Sequence, residues 1–103
     1  MITITGTVGS SGQYLVTGIP IETQTHTVLK FSFENNTSGT NLALLAGTDA
    51  DFTSGTGGTQ LSDSGGPGFI FLTIIDTHKL SGKILFVRRA VGSANSRFTL
   101  TVD

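Results

Sequence analysis

The stretch THTVLKFSFEN, residues 25–35, decides the fold class. Leu29, Phe31 and Phe33 fall on one side of an extended chain, and Lys30, Ser32 and Glu34 on the other. Successive side chains of a strand point to opposite faces, whereas a helix brings together residues three or four apart. Alternation at period two therefore reads as a strand with one face in a core and the other in water.

The same grammar extends in both directions. ITITGTV (residues 2–8) puts Ile2 and Ile4 on one face and Thr3 and Thr5 on the other. GSSG (9–12) is a turn by composition, and QYLVTGI (13–19) runs up to Pro20, which cannot donate to a ladder. LALLAG (42–47), TQLS (59–62), FIFLTII (69–75) and KILFVRRA (83–90) follow. RFTLTVD (97–103) turns Phe98, Leu100 and Val102 inward and Thr99 and Thr101 outward. No segment shows a helical period. Short strands separated by turn signals predict an all-β fold, an antiparallel sandwich or jelly-roll-like arrangement of about eight strands. No repeat or internal boundary divides residues 1–103, so a single domain is expected.

Composition narrows the function classes. Charged residues make up 13% of the chain, about half the usual share, and the formal net charge is -1. This balance gives no electrostatic reason to expect nucleic acid as a partner. No apolar run approaches the roughly 20 residues of a membrane-spanning helix. The absence of cysteine excludes disulfides, thiolate metal sites and cysteine nucleophiles. Met1 leads directly into a β pattern without a basic or long apolar leader, so the protein is expected to stay where it is made. Both chain ends read as paired strands.

Little of the sequence reads as chemistry. GTDADFTSGTGG (47–58) has the spacing of a calcium loop at its start, with Asp49 at position one, Asp51 at three and Thr53 at five. Position six is Ser54 rather than glycine, and position twelve is the uncharged Gln60. Asp49, Asp51 and Asp63 are thus candidates for a weak calcium site, and otherwise no cofactor is expected. The alternative is a long turn-rich loop, since Asp and Gly are turn formers. Asp49 and Asp51 on one loop do not flank a substrate as glycosidase carboxylates must. Asp76 and His78 share a face if their strand continues, but no nucleophile elbow accompanies them, and His26 is the only other histidine. No catalytic residue is assigned, and an enzyme is not expected. Two overlapping glycosylation sequons begin at Asn35 and Asn36 and read as chance. Five of the six basic residues, Lys79, Lys83, Arg88, Arg89 and Arg97, lie late in the chain. Arg88 and Arg89 are expected on opposite faces of their strand. One Tyr, Tyr14, and no Trp give a poor platform for stacking sugars.

FIFLTII differs from the other strands. Phe69, Phe71 and Ile75 occupy one face, and Ile70, Leu72 and Ile74 the other. A strand apolar on both faces is expected to be covered on both. The cover is either the long loop of residues 47–68 or another subunit, which makes Ile70, Leu72 and Ile74 candidate interface residues.

NLALLAG, TQLSDSGG, FIFLTI, GKILFVRRA and SRFTLTVD, taken in that order, resemble bacterial pre-peptidase C-terminal-like domains, small β-sandwiches attached to secreted enzymes. Phe98-Thr99-Leu100-Thr101-Val102 matches the closing Y-T-L-x-V strand of that family, with Phe for Tyr. Asp49-Ala50-Asp51-Phe52 matches its D-x-D segment, which there opens a strand. The resemblance covers about 60 residues and implies a sandwich. It also implies, as an alternative function, an accessory binding module, pre-peptidase-like or carbohydrate-binding, of an extracellular protein. The residues themselves favour a structural or assembly protein. The expectation is a small virion component such as a phage capsid decoration protein, made in the host cytoplasm and binding a capsid surface. It is expected to form homo-oligomers, for example a trimer.

Overall fold

The computed structural model describes residues 2–17, 26–34, 39–65, 68–76, 82–93 and 95–103, and for residues 26–28, 34, 75 and 76 only the backbone. Its elements run β1 (Ile2–Val8), β2 (Gln13–Val16), β3 (His26–Glu34), β4 (Asn41–Gly47), α1 (Asp49–Ser54), β5 (Thr59–Gln60), β6 (Ile70–Asp76), β7 (Ile84–Val91) and β8 (Ser96–Val102). The Asn35 and Asn36 sequons, Pro20, His78 and Lys79 lie outside the described residues.

The strands form two four-stranded sheets, ordered β1-β8-β3-β6 and β2-β7-β4-β5. Every neighbouring pair is antiparallel. First pairs with last, second with seventh, third with sixth and fourth with fifth. The chain is thus doubled at the β4–β5 link into one antiparallel ribbon and then rolled, and the β3–β8 and β4–β7 ladders close the roll. This is the strand order of a jelly roll. The two terminal strands pair with each other, Ile2 opposite Val102 and Val8 opposite Ser96.

Alternation places the core between the sheets. From the first sheet, Leu29, Phe31, Phe33, Phe98, Leu100 and Val102 point inward. They meet Val16, Leu42, Leu44, Ala46, Leu85 and Val87 of the second. Lys30, Thr3, Thr5 and Thr7 alternate outward and are exposed. The aromatic centre is Phe98, whose ring lies 5.2 Å from that of Tyr14, edge to face, and 5.9 Å from that of Phe31. Gly6 stands opposite Phe98 in register, and a Cβ there would lie 2.7 Å from the Tyr14 ring and 2.9 Å from Phe98. Glycine at this position is what lets the Tyr14 ring pass over β1 onto Phe98.

Two features depart from expectation. The segment after β4 is not a featureless loop; Asp49–Ser54 is a short helix. Thr48 caps it: its hydroxyl accepts from the Asp51 amide, while the Asp51 carboxylate accepts from the Thr48 amide. Gly55 ends it in a left-handed conformation at φ 74°. This reciprocal box is a short-range signal, but six residues are too few for a helical period to show.

The long segment after β4 does not cover β6; within the chain, the strand covered on both faces is β4. All of Leu42–Gly47 is buried in β4, as are Leu85, Phe86 and Val87 of β7. The outward Ala43, Leu45 and Phe86 form a second apolar cluster with Phe52 of α1 and Ile84. The Phe52 and Phe86 rings meet edge to face at 5.6 Å. Helix α1 begins one residue beyond Thr48 from the end of β4, so it folds onto the outer face of its own sheet. The outer face of β6 belongs to the other sheet, across a core about 10 Å thick.

The aromatic centre makes Gly6 a sensitive position. Gly6→Ala is expected to destabilise the fold by about 1–3 kcal/mol through overpacking, seen as a lower urea midpoint with an unchanged slope.

Candidate functional site

The first sheet has two edges, β1 and β6. β6 pairs with β3 in unbroken register from Ile70 opposite Ser32 to Asp76 opposite His26. Phe71, and Phe69 just before the strand, pack inward against the core. Its outward side chains are Ile70, Leu72 and Ile74, which are 63%, 67% and 68% exposed. Three large aliphatic side chains in consecutive outward positions form a continuous row, unlike the scattered exposed hydrophobics of an ordinary surface. Full burial of such a side chain is worth roughly 1.5–3 kcal/mol, and about two-thirds of that surface stays in contact with water at each of these positions. The cover expected from the long segment after β4 is spent on the other sheet.

The row is bounded by polar neighbours. Lys30 stands opposite Leu72 and is exposed, and Ser32 opposite Ile70 is half-buried. Farther across the same face come Thr99 and Thr101 of β8, then Thr3, Thr5 and Thr7 of β1. The outer face of the first sheet thus grades from hydroxyl-bearing to aliphatic, with the apolar side at an edge strand.

The second sheet carries a different constellation on its outer face. Arg88 of β7 donates from Nε to Gln13 Oε1 at 2.9 Å, from Nη1 to the Gly57 carbonyl at 2.7 Å and from Nη2 to the Asp51 carbonyl at 3.0 Å. Its guanidinium also lies 4.9 Å from the centre of the Phe86 ring. Gln13 in turn donates to the Phe52 carbonyl at 2.7 Å. A planar fork suits this task, because it reaches the loop, the helix and β2 at once. Arg89 points the other way, onto the carbonyls of Val8 and Gly9, so the pair occupies opposite faces as expected. Beside Arg88 lies an open concavity of about 270 Å³, with Ala43 and Leu45 on its floor and Thr56 and Gln60 at its side.

The three candidate calcium ligands are placed separately. Asp49 and Asp63 are exposed, and Asp51 has one carboxylate oxygen committed to the helix cap. Among the described residues, no three acidic or imidazole side chains come together. Hydrogen bonding from the Thr48 amide, then from its hydroxyl, holds the Asp51 pKa below its ordinary value, with Lys83 and Arg88 adding to the effect. The backbone register sets His26 opposite Asp76 at the end of the first sheet. No helix among the described residues is long and apolar enough to cross a membrane.

Two outcomes are expected here. Arg88→Lys leaves a point charge where three acceptors need a fork. It should lower stability by on the order of 2 kcal/mol and speed proteolysis near Gly55–Gly58, as seen by urea melts and limited digestion. The Asp51 carboxylate has a lower pKa folded than unfolded, so its contribution is complete above the ordinary aspartate range. That contribution is lost as the pH falls through the lowered value. The stability difference between the native chain and Asp51→Asn, followed by urea melts from neutral to acid, should shrink towards zero at the acid end.

No family model, curated protein or solved structure matches this chain.

Proposed function

We propose that this chain is a non-enzymatic structural or assembly protein, a small virion component of the capsid-decoration kind that binds a capsid surface as a homo-oligomer. The observation that carries this reading is the aliphatic row Ile70, Leu72 and Ile74, more than three-fifths exposed on an edge strand. A surface of that kind is stable in water only at a cost, and a neighbouring protein surface removes it. Two further features agree. The low charge, 13% of residues, suits a subunit surrounded by other protein. The jelly roll is an architecture of many viral capsid domains, a likeness of fold alone.

A second reading, an accessory binding module of an extracellular protein, is favoured by the concavity beside Arg88. That site offers a guanidinium, an amide and a hydroxyl over an apolar floor, and jelly rolls also serve as lectins.

Leu72→Asp separates the two. Its side chain is two-thirds exposed, so the substitution should leave the far-ultraviolet spectrum and the melting temperature nearly unchanged. The native chain should have a solution mass that is a multiple of 10.7 kDa, and Leu72→Asp should fall to a single chain. A native monomer indistinguishable from the variant at every concentration would sink the assembly reading and leave the binding module.

A further inference from the structure

The four sheet edges differ in how they discourage pairing. β5 is two residues long and β2 is four. β1 turns exposed threonines outward and contains Gly6. β6 is seven residues long. From Ile70 to Ile75 it has no charged residue and no proline, and its ladder with β3 has no register shift. Among the described residues, no strand pairs with its other edge. Charges, prolines, bulges and shortness are the usual means of protecting an edge, and from Ile70 to Ile75 this one has none of them, its one charged residue being the terminal Asp76.

Its outward residues are also self-complementary. Reversing the strand about Leu72 carries Ile70 onto the position of Ile74 and leaves Leu72 in place. Resting on the assembly reading above, we propose that β6 pairs antiparallel with β6 of a second copy. The two-fold axis runs through Leu72, perpendicular to the sheet. Ile70 then faces Ile74 of the second copy, and Leu72 faces its own mate. The first sheet continues across the axis as one eight-stranded sheet, with a six-residue aliphatic band at its centre.

Alternative registers match less well. Residues facing each other across an antiparallel pair share a sheet face, so the axis must pass through a residue. An axis at Phe71 leaves Ile74 facing Gly68, and one at Thr73 sets Ile70 against Asp76. Of these three, only the axis at Leu72 pairs every outward aliphatic residue with another. Lys30 does not oppose the contact. It lies one strand inside β6, so the two copies of Lys30 are three strand spacings apart, about 14 Å, beyond the ~8 Å screening length at physiological salt. The interaction is isologous, as a closed two-fold assembly requires. One strand pair with six aliphatic side chains lies at the small end of protein interfaces, so monomer and dimer should exchange.

The chain has no cysteine, which permits a register test by cross-linking. Directly opposed residues have Cβ atoms about 4.5–5.5 Å apart, close to the roughly 3.5–4.5 Å of a disulfide. Under mild oxidation Leu72→Cys should therefore form a disulfide-linked dimer. Ile70→Cys alone, offset from its mate by about 13 Å along the strands, should link on the order of ten-fold more slowly, since such a separation needs backbone movement. A mixture of Ile70→Cys and Ile74→Cys should link efficiently. Sedimentation equilibrium of the native full-length chain should show an exchange between one and two chains of 10.7 kDa. A trimer, or Ile70→Cys linking as fast as Leu72→Cys, would overturn the two-fold pairing while leaving the assembly reading intact. A monomer at all concentrations with no Leu72→Cys linkage would overturn both.

Discussion

Phe98 joins the parts of this fold that are farthest apart in sequence. It sits on β8, opposite Gly6 of β1 and Phe33 of β3, with the Phe31 ring beside it and the Tyr14 ring of the second sheet edge-on to it. Aromatic burial supplies the largest apolar area per residue, and here one ring is shared by strands from both ends of the chain. The first and last strands lie side by side because the chain is doubled back on itself, and Phe33 of β3 comes beside Phe98 only because the doubled ribbon is rolled. The glycine at position 6 is a local consequence of that packing, because a side chain there would occupy the space of the Tyr14 ring.

The two outer faces of the sandwich are treated differently, and the reason is chain reach. Helix α1 follows β4 directly and lands on the outer face of the same sheet, where Phe52 meets Phe86 and Arg88 holds the helix and loop backbone. The polar-looking segment after β4 thus packs Phe52 onto the cluster of Ala43, Leu45 and Phe86 and leaves an open concavity beside it. The other sheet keeps its aliphatic edge row on the surface. Covering one face and not the other leaves one outer face buttressed by Phe52 and Arg88 and the other carrying the exposed aliphatic row of Ile70, Leu72 and Ile74.

The legibility of the chain followed from the length of each signal. The β3 and β8 patterns alternate apolar and polar positions, and their buried residues Leu29, Phe31, Phe33, Phe98, Leu100 and Val102 were readable one by one, whereas Ile2 and Ile4 of β1 are only half-buried. LALLAG was readable as a strand. Its unbroken apolar run carries the same two-sided signal as FIFLTII, but what packs on its outer face was not readable, because Phe52 belongs to a helix too short to show a period. The Thr48–Asp51 cap and Gly55 were the available signs of that helix. The outward set Ile70, Leu72 and Ile74 was visible in the sequence as a second apolar face on one strand. The Arg88 constellation was not, since its acceptors are backbone carbonyls at Asp51 and Gly57, and main-chain oxygens leave no mark in a sequence.

The sequence by itself determined the class, antiparallel β, and which side of most strands faces the core, because side-chain alternation is a property of the local backbone. Tertiary structure alone decided which strand lies beside which, that the helix after β4 covers the outer face of β4 and leaves that of β6 exposed, and that β6 lies at a sheet edge among the described strands. Those outcomes depend on ladders between residues as distant as Ile2 and Val102, and on where a short capped helix can reach. No local pattern encodes either.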